Sequence, residues 1–386
     1  MTVVTCAPNH PQGRVYEGYR NRIYQRETKD GINVVRVWTF VTANEGFFKR
    51  TLNYISYMCS AIMISLLLPK ADVVLSTSPQ FFNGLAGYCV SKMRRIPWVL
   101  EVRDLWPESI VAVGAIKNPA IIKMLEWIER FAYRKADRIV PVTDSFKTCM
   151  LNKGIEANKI CVVKNGVDLA QYRPVDGAPG LAEELGLKGK FVVSYFGTHG
   201  MAHHLETILE AARRLSASPN IVFLMVGDGA ERQALLRMRD AMGLNNVMML
   251  DQQPKHRMPE FWAISDVSLV LLKKSELFKT VIPSKIFESL AMAKPIVLGV
   301  EGESAELLKT AQAGLCVEPE NVEQLVARVM ELSHDMELRQ QLGRNGRRFV
   351  MEQFDRMVLA RKLFSVIEMV CGGSALQAGG VSIPAR

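Results

Sequence analysis

Short apolar runs alternate with longer amphipathic stretches along most of the chain. The runs are nearly continuous in Val, Ile and Leu, as in "WVLEV" at 98–102 and "FVVSYFG" at 191–197. Stretches with helical periodicity lie between them, for example "PAIIKMLEWIERFAYRKA" at 119–136. Apolar strands separated by helices are typical of parallel sheets that are covered by helices on both faces. The pattern therefore predicts an α/β protein.

The same alternation runs through both halves of the chain, and a stretch rich in Gly, Pro and polar residues at 164–187 separates the halves. We interpret this stretch as a linker between two doubly wound domains. The predicted domains are 1–170 and 171–350, followed by a closing helix at 351–370 and a disordered tail at 371–386. The predicted strands are 34–38, 72–77, 98–102, 138–143, 160–163, 191–197, 221–227, 247–250, 267–272 and 295–300, and the opening residues form a further strand.

Charge is distributed unevenly between the halves. The formal net charge is +9, yet residues 1–173 alone carry 24 Lys and Arg against 14 Asp and Glu. Such a half suits an anionic membrane, a phosphorylated substrate or nucleic acid, or is basic only for solubility. Nucleic acid is disfavoured, because no aromatic residues are interleaved with the basic ones as a stacking platform.

A membrane-associated helix is predicted at 47–69. The stretch "FFKRTLNYISYMCSAIMISLLL" joins bulky apolar residues to Lys49 and Arg50, which suits a helix lying in a membrane interface. The alternative is a helix buried against its own sheet. Its apolar part, 54–69, is too short to cross a bilayer. The opening residues do not resemble a signal peptide, and the seven Cys are scattered, so a reducing, cytoplasmic location is expected.

The stretch "TVIPSKIFESLAMAKPIV" at 280–297 is the strongest candidate for anion binding. Pro283 and Ser284 suit the entry to a helix, whose N-terminal N–H groups attract phosphate. Lys285 adds a cation, and Glu288, almost one turn later, adds a carboxylate that can accept hydrogen bonds from ribose hydroxyls. The alternative is a surface ion pair between the two residues, worth a few tenths of a kcal/mol.

Glycine-containing turns follow two other strands of the second half. "FGTHGMAHHLE" contains Gly197 and Thr198, and "VGDGAER" contains Gly227. Glycine permits a phosphate to approach the backbone closely, although an ordinary turn explains either stretch as well. Three histidines in the first stretch (199, 203 and 204) suggest zinc, but no second ligand cluster supports a metal.

Polar residues are unusually dense in "VLEVRDLWPES" at 99–109, directly after a predicted buried strand. Arg103, Asp104 and Glu108 are therefore the candidate catalytic residues. The alternative is a helix cap by Asp104 with a structural Arg–Glu pair. The chain has no DxD motif for a diphosphate-bound cation, so chemistry without a metal or other cofactor is expected.

The chain resembles glycosyltransferases of the GT-B fold, in particular the family 4 branch that builds bacterial capsule, colanic-acid and O-antigen sugars. The resemblance extends from residue 1 to about residue 370. It rests on "YEGYRNRIYQRE", "EVRDLWPES", "ADRIVPVTDSF", "NGVDLAQYRP", "GDGAER", "SDVSLVLL" and "IPSKIFESLAMAKPIV". The resemblance implies two Rossmann-like domains facing across a cleft, with the acceptor on the N-terminal domain and the nucleotide sugar on the C-terminal one.

The resemblance also implies roles for individual residues. Glu288 matches the second Glu of the family's E-x7-E motif, and Thr280 stands where the first would be. The family's phosphate-binding Arg and Lys map onto Thr198 and His203, so we expect Lys285 to supply the missing cation. A protonated His203 would assist it, since a diphosphate raises the pKa of a nearby His.

The implied reaction is transfer of a hexosyl group with retention of configuration, from a UDP- or GDP-sugar to a lipid-linked or oligosaccharide acceptor at the inner membrane. The family's catalytic-region His corresponds to Arg103, which cannot act as a base at neutral pH. Arg103 and Asp104 are therefore expected to bind substrate groups. Gly197, Gly227 and Ser284 complete the expected nucleotide-sugar site.

Two other functions stay open at this point, a sugar-nucleotide 2-epimerase of the same fold and a non-catalytic scaffold. Release of UDP that depends on an acceptor distinguishes a transferase from both. Relatives carry one more strand, a Gly-rich loop and a helix before the stretch that opens this chain. We therefore expect the chain, as it stands, to be inactive or poorly folded, with one exposed sheet edge.

Overall fold

The computed structural model describes residues 1–9, 13–42, 47–112, 114, 116–175 and 178–372. The described chain divides into two compact units. The N-terminal unit comprises Met1–Val142, Lys147–Val163 and the segment that begins at Leu363, and the C-terminal unit comprises Thr143–Phe146 and Lys164–Lys362. The predicted domain boundaries stay a prediction, and most of the predicted tail lies outside the described residues.

The N-terminal unit begins with a three-stranded sheet of order β1-β3-β2. Strands β1 (Thr2–Cys6) and β3 (Ile32–Val37) are parallel, whereas β2 (Tyr24–Lys29) pairs with β3 in the antiparallel direction. Asp30 and Gly31 join β2 to β3 with φ values of 52° and 76°. An Asp-Gly pair with positive φ at both positions is a favoured hairpin turn. The prediction of parallel strands throughout is therefore wrong at β2.

A second three-stranded sheet of the N-terminal unit is parallel, with the order β4-β5-β6. Its strands are Val74–Ser78, Trp98–Val102 and Arg138–Pro141. The predicted strand at 160–163 is present only as an isolated parallel bridge between Ile160 and Ile139. The N–H groups of Cys161 and Val163 donate to the carbonyls of Ile139 and Pro141, so the segment still lies along β6. The helices that follow β3 are α1 (Phe47–Leu67), α2 (Phe81–Arg94), α3 (Glu108–Ala112), α4 (Pro119–Lys135) and α5 (Asp144–Asn152).

The C-terminal unit is built on a six-stranded parallel sheet of order β12-β11-β10-β7-β8-β9. The strands are β7 (Phe191–Phe196), β8 (Ile221–Val226), β9 (Val247–Leu250), β10 (Val267–Leu271), β11 (Ile296–Gly299) and β12 (Gly314–Cys316). The helices are α6 (Pro179–Glu184), α7 (Glu206–Arg214), α8 (Arg232–Ala241), α9 (Met258–Ala263), α10 (Lys285–Ala291), α11 (Glu303–Ala311), α12 (Val322–His334), α13 (Met336–Gln353) and α14 (Arg356–Cys371), which continues into the N-terminal unit.

The order of this sheet reverses between β7 and β10. The chain passes from β7 to β8 and β9 on one side, and then from β10 to β11 and β12 on the other. In open parallel sheets, ligands bind beyond the carboxyl ends of the strands at such a reversal. The turns after β7 and β8 and the start of α10 are therefore the places to examine for a site.

Candidate active site

Two glycine turns of the C-terminal unit pack against each other by their backbones. A Cβ at Gly227, which follows β8, would lie 1.8 Å from the carbonyl oxygen of Gly197, which follows β7. The Gly197 N–H donates to Val226 at 3.0 Å, and the His199 N–H donates to the Asp228 carbonyl at 2.9 Å. No side chain fits at Gly227 without displacing the other turn. Two residues predicted for the nucleotide-sugar site, Gly197 and Gly227, thus lie together.

The Lys285 side chain projects toward these turns. Its Nζ lies 3.7 Å from the centroid of the Tyr195 ring and 3.0 Å from the position that a Cβ at Gly197 would take. The Nζ atom is buried and has no hydrogen-bond partner, and burial lowers the pKa of Lys285 to about 7. Contact with a ring face compensates only part of the cost of burying an ammonium group. Lys285 is therefore a buried amine that lacks a hydrogen-bonded anion and loses its proton readily near neutral pH.

Helix α10 begins at Lys285, as the sequence predicts, but Ser284 does not cap it. Ser284 is exposed, its backbone is already helical at φ −58° and ψ −28°, and its side chain makes no capping hydrogen bond. Thr198 is exposed as well, and its carbonyl accepts a 2.8 Å hydrogen bond from the Tyr195 hydroxyl. Two predicted site residues thus present hydroxyl groups to solvent.

Glu288 lies one turn beyond Lys285 but has different neighbours. Its carboxylate accepts a hydrogen bond from the hydroxyl of the buried Tyr172. Burial raises the pKa of Glu288, and the Tyr172 hydroxyl and nearby Lys255 partly offset that effect. The surface ion pair considered from the sequence does not form, since the Lys285 Nζ has no partner. The Glu288 carboxylate is thus held in place by Tyr172.

His203 contacts the same region from the start of the segment before α7. Its Nδ1 lies 3.4 Å from the Leu271 carbonyl, and burial together with Lys285 lowers the pKa of His203 to about 3. The imidazole is therefore neutral at pH 7 in this structure. Its protonation beside a diphosphate stays a prediction.

Two residues that the sequence analysis did not select, His199 and Arg232, also lie at these turns. His199 is wholly buried, both of its ring nitrogens lack a hydrogen-bond partner, and burial lowers its pKa to about 4. Arg232 donates from Nε to the Gly227 carbonyl at 3.2 Å and pairs with Asp251 at 2.7 Å. Each of the two residues closely follows a Gly-containing turn. This position in the sequence was the signal that could have identified them as site residues.

This part of the C-terminal unit can therefore bind an anion next to a hydroxyl-rich group. Lys285 and Arg232 supply positive charge, the glycine turns permit close approach of a ligand to the backbone, and the Glu288 carboxylate accepts hydrogen bonds. Within the described residues, no three His, Cys, Asp or Glu side chains are grouped as metal ligands.

The candidate catalytic residues of the N-terminal unit follow β5. Arg103 is exposed and Asp104 is half-buried. Burial is the largest cause that raises the pKa of Asp104 to about 6, and Glu108 adds to it. The charge of Asp104 therefore changes near pH 6, which suits a group that exchanges protons or hydrogen bonds with a substrate.

Glu108 belongs to a partly buried ion network in which only Glu129 is fully enclosed. Its Oε1 accepts a 2.5 Å hydrogen bond from the Lys153 Nζ, and the same Nζ donates to both oxygens of Glu129 at 2.6 and 2.8 Å. Glu129 is 1% exposed, and burial raises its pKa to about 7. Glu108 thus pairs with Lys153 and not with an arginine of its own loop, and its contacts indicate a structural role.

Comparisons with known proteins identify the family of the chain. Residues 1–166 match the model of the glycosyl transferase 4-like domain, and residues 181–349 match the model of glycosyl transferases group 1. The chain is 27% identical over 342 residues to the putative colanic acid biosynthesis glycosyl transferase WcaI of Escherichia coli (strain K12), covering 86% of this chain and 83% of that protein.

Two further similar proteins bear on the chemistry. The E. coli UDP-Gal:alpha-D-GlcNAc-diphosphoundecaprenol alpha-1,3-galactosyltransferase is 28% identical over 188 residues, which is 47% of each chain. The crystal structure of HepE from Anabaena in complex with UDP and glucose superposes with a TM-score of 0.68 at 17% identity, over 87% of this chain and 86% of that one. The predicted α/β fold is thereby confirmed, and the chain belongs to the GT-B glycosyltransferases as a family 4-like hexosyltransferase.

Proposed function

We propose that this enzyme transfers a hexosyl group from a UDP- or GDP-sugar to a lipid-linked or saccharide acceptor during synthesis of a cell-surface polysaccharide. Three relatives support the proposal. WcaI is named for colanic acid biosynthesis, the galactosyltransferase is named for a UDP-sugar donor and a diphosphoundecaprenol acceptor, and HepE was crystallised with UDP and glucose.

The observation that carries the proposal is the buried Lys285 amine, which has no hydrogen-bond partner and lies beside the glycine turns. A buried cation without a partner is costly, and a diphosphate supplies both the negative charge and the acceptor oxygens that it lacks. In this assignment the Gly197 and Gly227 turns let the phosphates approach the backbone. Arg232, whose Nε donates to the Gly227 carbonyl, adds positive charge.

Glu288 is assigned to the ribose of the nucleotide. Its carboxylate is already held by the Tyr172 hydroxyl, which leaves acceptor capacity for two vicinal hydroxyls. The exposed hydroxyls of Thr198 and Ser284 and the neutral imidazole of His203 are assigned to further polar contacts with the donor.

The mechanism we propose is retaining and needs no metal. Charge builds up on the diphosphate as it leaves, and a fixed cation at that position stabilises this charge in the transition state. The leaving diphosphate can then take the proton of the acceptor hydroxyl on the same face of the sugar. Arg103 and Asp104 of the N-terminal unit are assigned to acceptor groups, and Glu108 to support of their loop.

We place the enzyme at the cytoplasmic side of the inner membrane as a peripheral protein. No helix in the described part of the chain is long and apolar enough to cross a membrane. The proposed lipid-linked acceptor and the positive charge of residues 1–173 support this location.

Substitution of Lys285 by Met tests the assignment. Loss of a charge-assisted contact should weaken UDP or GDP binding to the full chain roughly 10- to 100-fold in isothermal titration calorimetry. Because Met fills the site without a buried charge, thermal unfolding of the Lys285→Met variant should occur at an equal or higher temperature. This opposite movement of affinity and stability separates a ligand-binding lysine from a structural one.

Lys294 offers a matched control in the same unit. Burial lowers its pKa too, but its Nζ donates to the Ala263 carbonyl at 3.2 Å. Lys294→Met should leave nucleotide affinity unchanged. Equal affinity of the parent and Lys285→Met proteins for both UDP and GDP would contradict the assignment.

A further inference from the structure

From Leu52 to Leu67, the exposed side of helix α1 is apolar. Leu52, Ile55, Cys59, Met63 and Leu67 follow each other at intervals of three or four residues, which places them on one face. All five are exposed, and the four larger side chains are 37% to 81% accessible. A helix that meets only water normally presents polar residues on this side.

Helix α4 presents an aromatic side chain among cations. Lys123, Trp127, Arg130 and Arg134 are exposed and follow each other at helical intervals. Trp127 is 67% accessible, and its ring stacks on Phe131 with the centroids 5.8 Å apart. Stacking fixes the indole at the surface, with its outer face open.

Helix α2 connects these two surfaces. It packs against α1 and against α4, and Arg94 at its end donates to the carbonyls of Leu68 and Pro69, just after α1. The Lys92 Nζ lies 6.0 Å from the centroid of the Tyr88 ring, and Tyr88 contacts Phe131 edge to face. The exposed sides of α1, α2 and α4 therefore form one face of the N-terminal unit, which we call the α1–α2–α4 face.

The charge of this face has a single sign. Helices α1 and α2 contain no Asp or Glu, and the two acidic residues of α4, Glu126 and Glu129, are half-buried and buried. Exposed Lys92, Lys123 and Arg130 form no ion pair within the described part of the chain. The face thus presents exposed apolar side chains next to Lys and Arg side chains that form no ion pair. Its three helices carry no exposed carboxylate.

We propose that the α1–α2–α4 face binds the surface of an anionic phospholipid bilayer. Each Lys or Arg near such a surface contributes about 1 kcal/mol of attraction, a tryptophan is at its most favourable between headgroups and acyl chains, and apolar tips enter the boundary region. Only the choice of the inner membrane as the source of this lipid rests on the proposed function.

Vesicle binding of the full chain tests the proposal. Vesicles of phosphatidylcholine with about one third phosphatidylglycerol should sediment the protein, and vesicles of pure phosphatidylcholine should not. Charge reversal in Lys123→Glu/Arg130→Glu should weaken partitioning at least about tenfold. The parent protein should also show a blue shift of tryptophan emission on anionic vesicles, and most of the shift should disappear in Trp127→Phe.

Arg237→Glu/Lys274→Glu is the matched control, since both residues are exposed and lie in the C-terminal unit. It changes the net charge by the same amount and should bind vesicles like the parent. The UDP affinity of the Lys123→Glu/Arg130→Glu variant should be unchanged. The vesicle experiment can therefore contradict membrane binding without bearing on the proposed nucleotide site.

Two outcomes would overturn the proposal. The first is equal vesicle binding by both double variants. The second is a parent dimer in the absence of lipid that dissociates on Trp127→Ser, because the face would then bind a second copy of the chain.

Discussion

At the scale of single residues, the state of Lys285 depends on what surrounds its Nζ. The nearby titratable groups are Glu288, His199, His203 and Tyr195. Both imidazoles are neutral at pH 7 because their pKa values are lowered, and the pKa of Tyr195 is raised by burial. Among Lys285, the two imidazoles and Tyr195, Lys285 is thus the group whose charge changes near neutral pH, and burial also raises the pKa of Glu288.

The lowered pKa of Lys285 predicts a pH dependence for both stability and binding. The folded-state pKa is about 7 against an ordinary value of 10.5, so the unfolded chain binds more protons between these values. The contribution of this group to the free energy of unfolding therefore rises from about pH 7 to pH 10.5. Nucleotide affinity should move in the opposite direction and fall above pH 7, since a diphosphate favours the protonated amine.

Calorimetry at pH 7.5 and above, where phosphate is fully ionised, checks this prediction. Titrations in buffers of different ionisation enthalpy should show proton uptake on UDP binding by the parent protein. The Lys285→Met variant should take up fewer protons and show a weaker pH dependence. A parent protein that binds UDP without proton uptake at pH 8 would mean that Lys285 is already charged before UDP binds, or that it does not interact with UDP.

The sequence was sufficient to select Lys285 and Glu288, because residue type and spacing identified them. It did not show which neighbours each side chain contacts. Tyr172 lies far from Glu288 in sequence, and the burial that leaves His199 without partners depends on how two turns pack. Glu108 was selected for the density of polar residues around it, and its partner Lys153 is distant in the chain.

At the scale of elements, the ion network of Glu108, Glu129 and Lys153 joins three helices. Glu108 begins α3, Glu129 lies within α4, and Lys153 follows α5 directly. The loop that carries Arg103 and Asp104 runs from β5 into α3, so the network fixes one end of this loop.

Removal of the shared cation should destabilise the N-terminal unit. Lys153→Met leaves two carboxylates without a counter-charge. Loss of one partner of a buried pair costs about 3–5 kcal/mol in the free energy of unfolding, and we expect the lower end of this range because Glu129 is buried whereas the Glu108 side chain is 36% exposed. The folded-state pKa of Glu129 is raised to about 7 from 4.5, so its contribution to stability falls as the pH rises through this range. The loss in Lys153→Met should therefore be greatest above pH 7 and smaller near pH 5.

Denaturant unfolding at both pH values measures this effect. The Lys153→Met/Glu129→Gln double variant should recover part of the loss, since the buried charge is removed with its partner. Lys147→Met, which removes a lysine of α5 outside the network, serves as control and should change stability little. If the two lysine variants are equally stable at pH 8, the network does not hold the loop.

The elements themselves were predicted well where local pattern and tertiary packing agree. The buried strands of the C-terminal unit lie where the apolar runs predicted them, because a strand covered on both faces leaves a continuous apolar signal. Strand β2 was missed, since "YQRETK" is polar and alternates in exposure. The Asp-Gly turn after it was the available signal.

At the scale of the whole molecule, the two units have different tasks in the proposed reaction. The residues assigned to the nucleotide lie in the C-terminal unit, and those assigned to the acceptor lie in the N-terminal unit. The positive charge is concentrated in residues 1–173, which contain the α1–α2–α4 face. Composition alone revealed the uneven charge, whereas the division of donor and acceptor between the units was implied by the family resemblance.

Hydrogen exchange should show the separation directly. UDP added to the full chain should slow exchange at 197–204, 226–232 and 281–288, where the proposed phosphate and ribose contacts lie. Exchange at 103–109 should not change with UDP alone. Mass spectrometry of peptic peptides measures both regions in one experiment, and Lys285→Met should show little protection at the same UDP concentration. Slower exchange only at 103–109 would place the nucleotide on the N-terminal unit and would contradict the proposed division of tasks.

The apolar stripe of α1 has a practical consequence. Cys59 is the one exposed thiol among the seven cysteines, and the others are partly shielded. A thiol-reactive fluorophore or spin label can therefore be attached near the middle of this helix in the unmutated enzyme. Its emission or its accessibility to quenchers would report how deeply the helix enters a lipid phase.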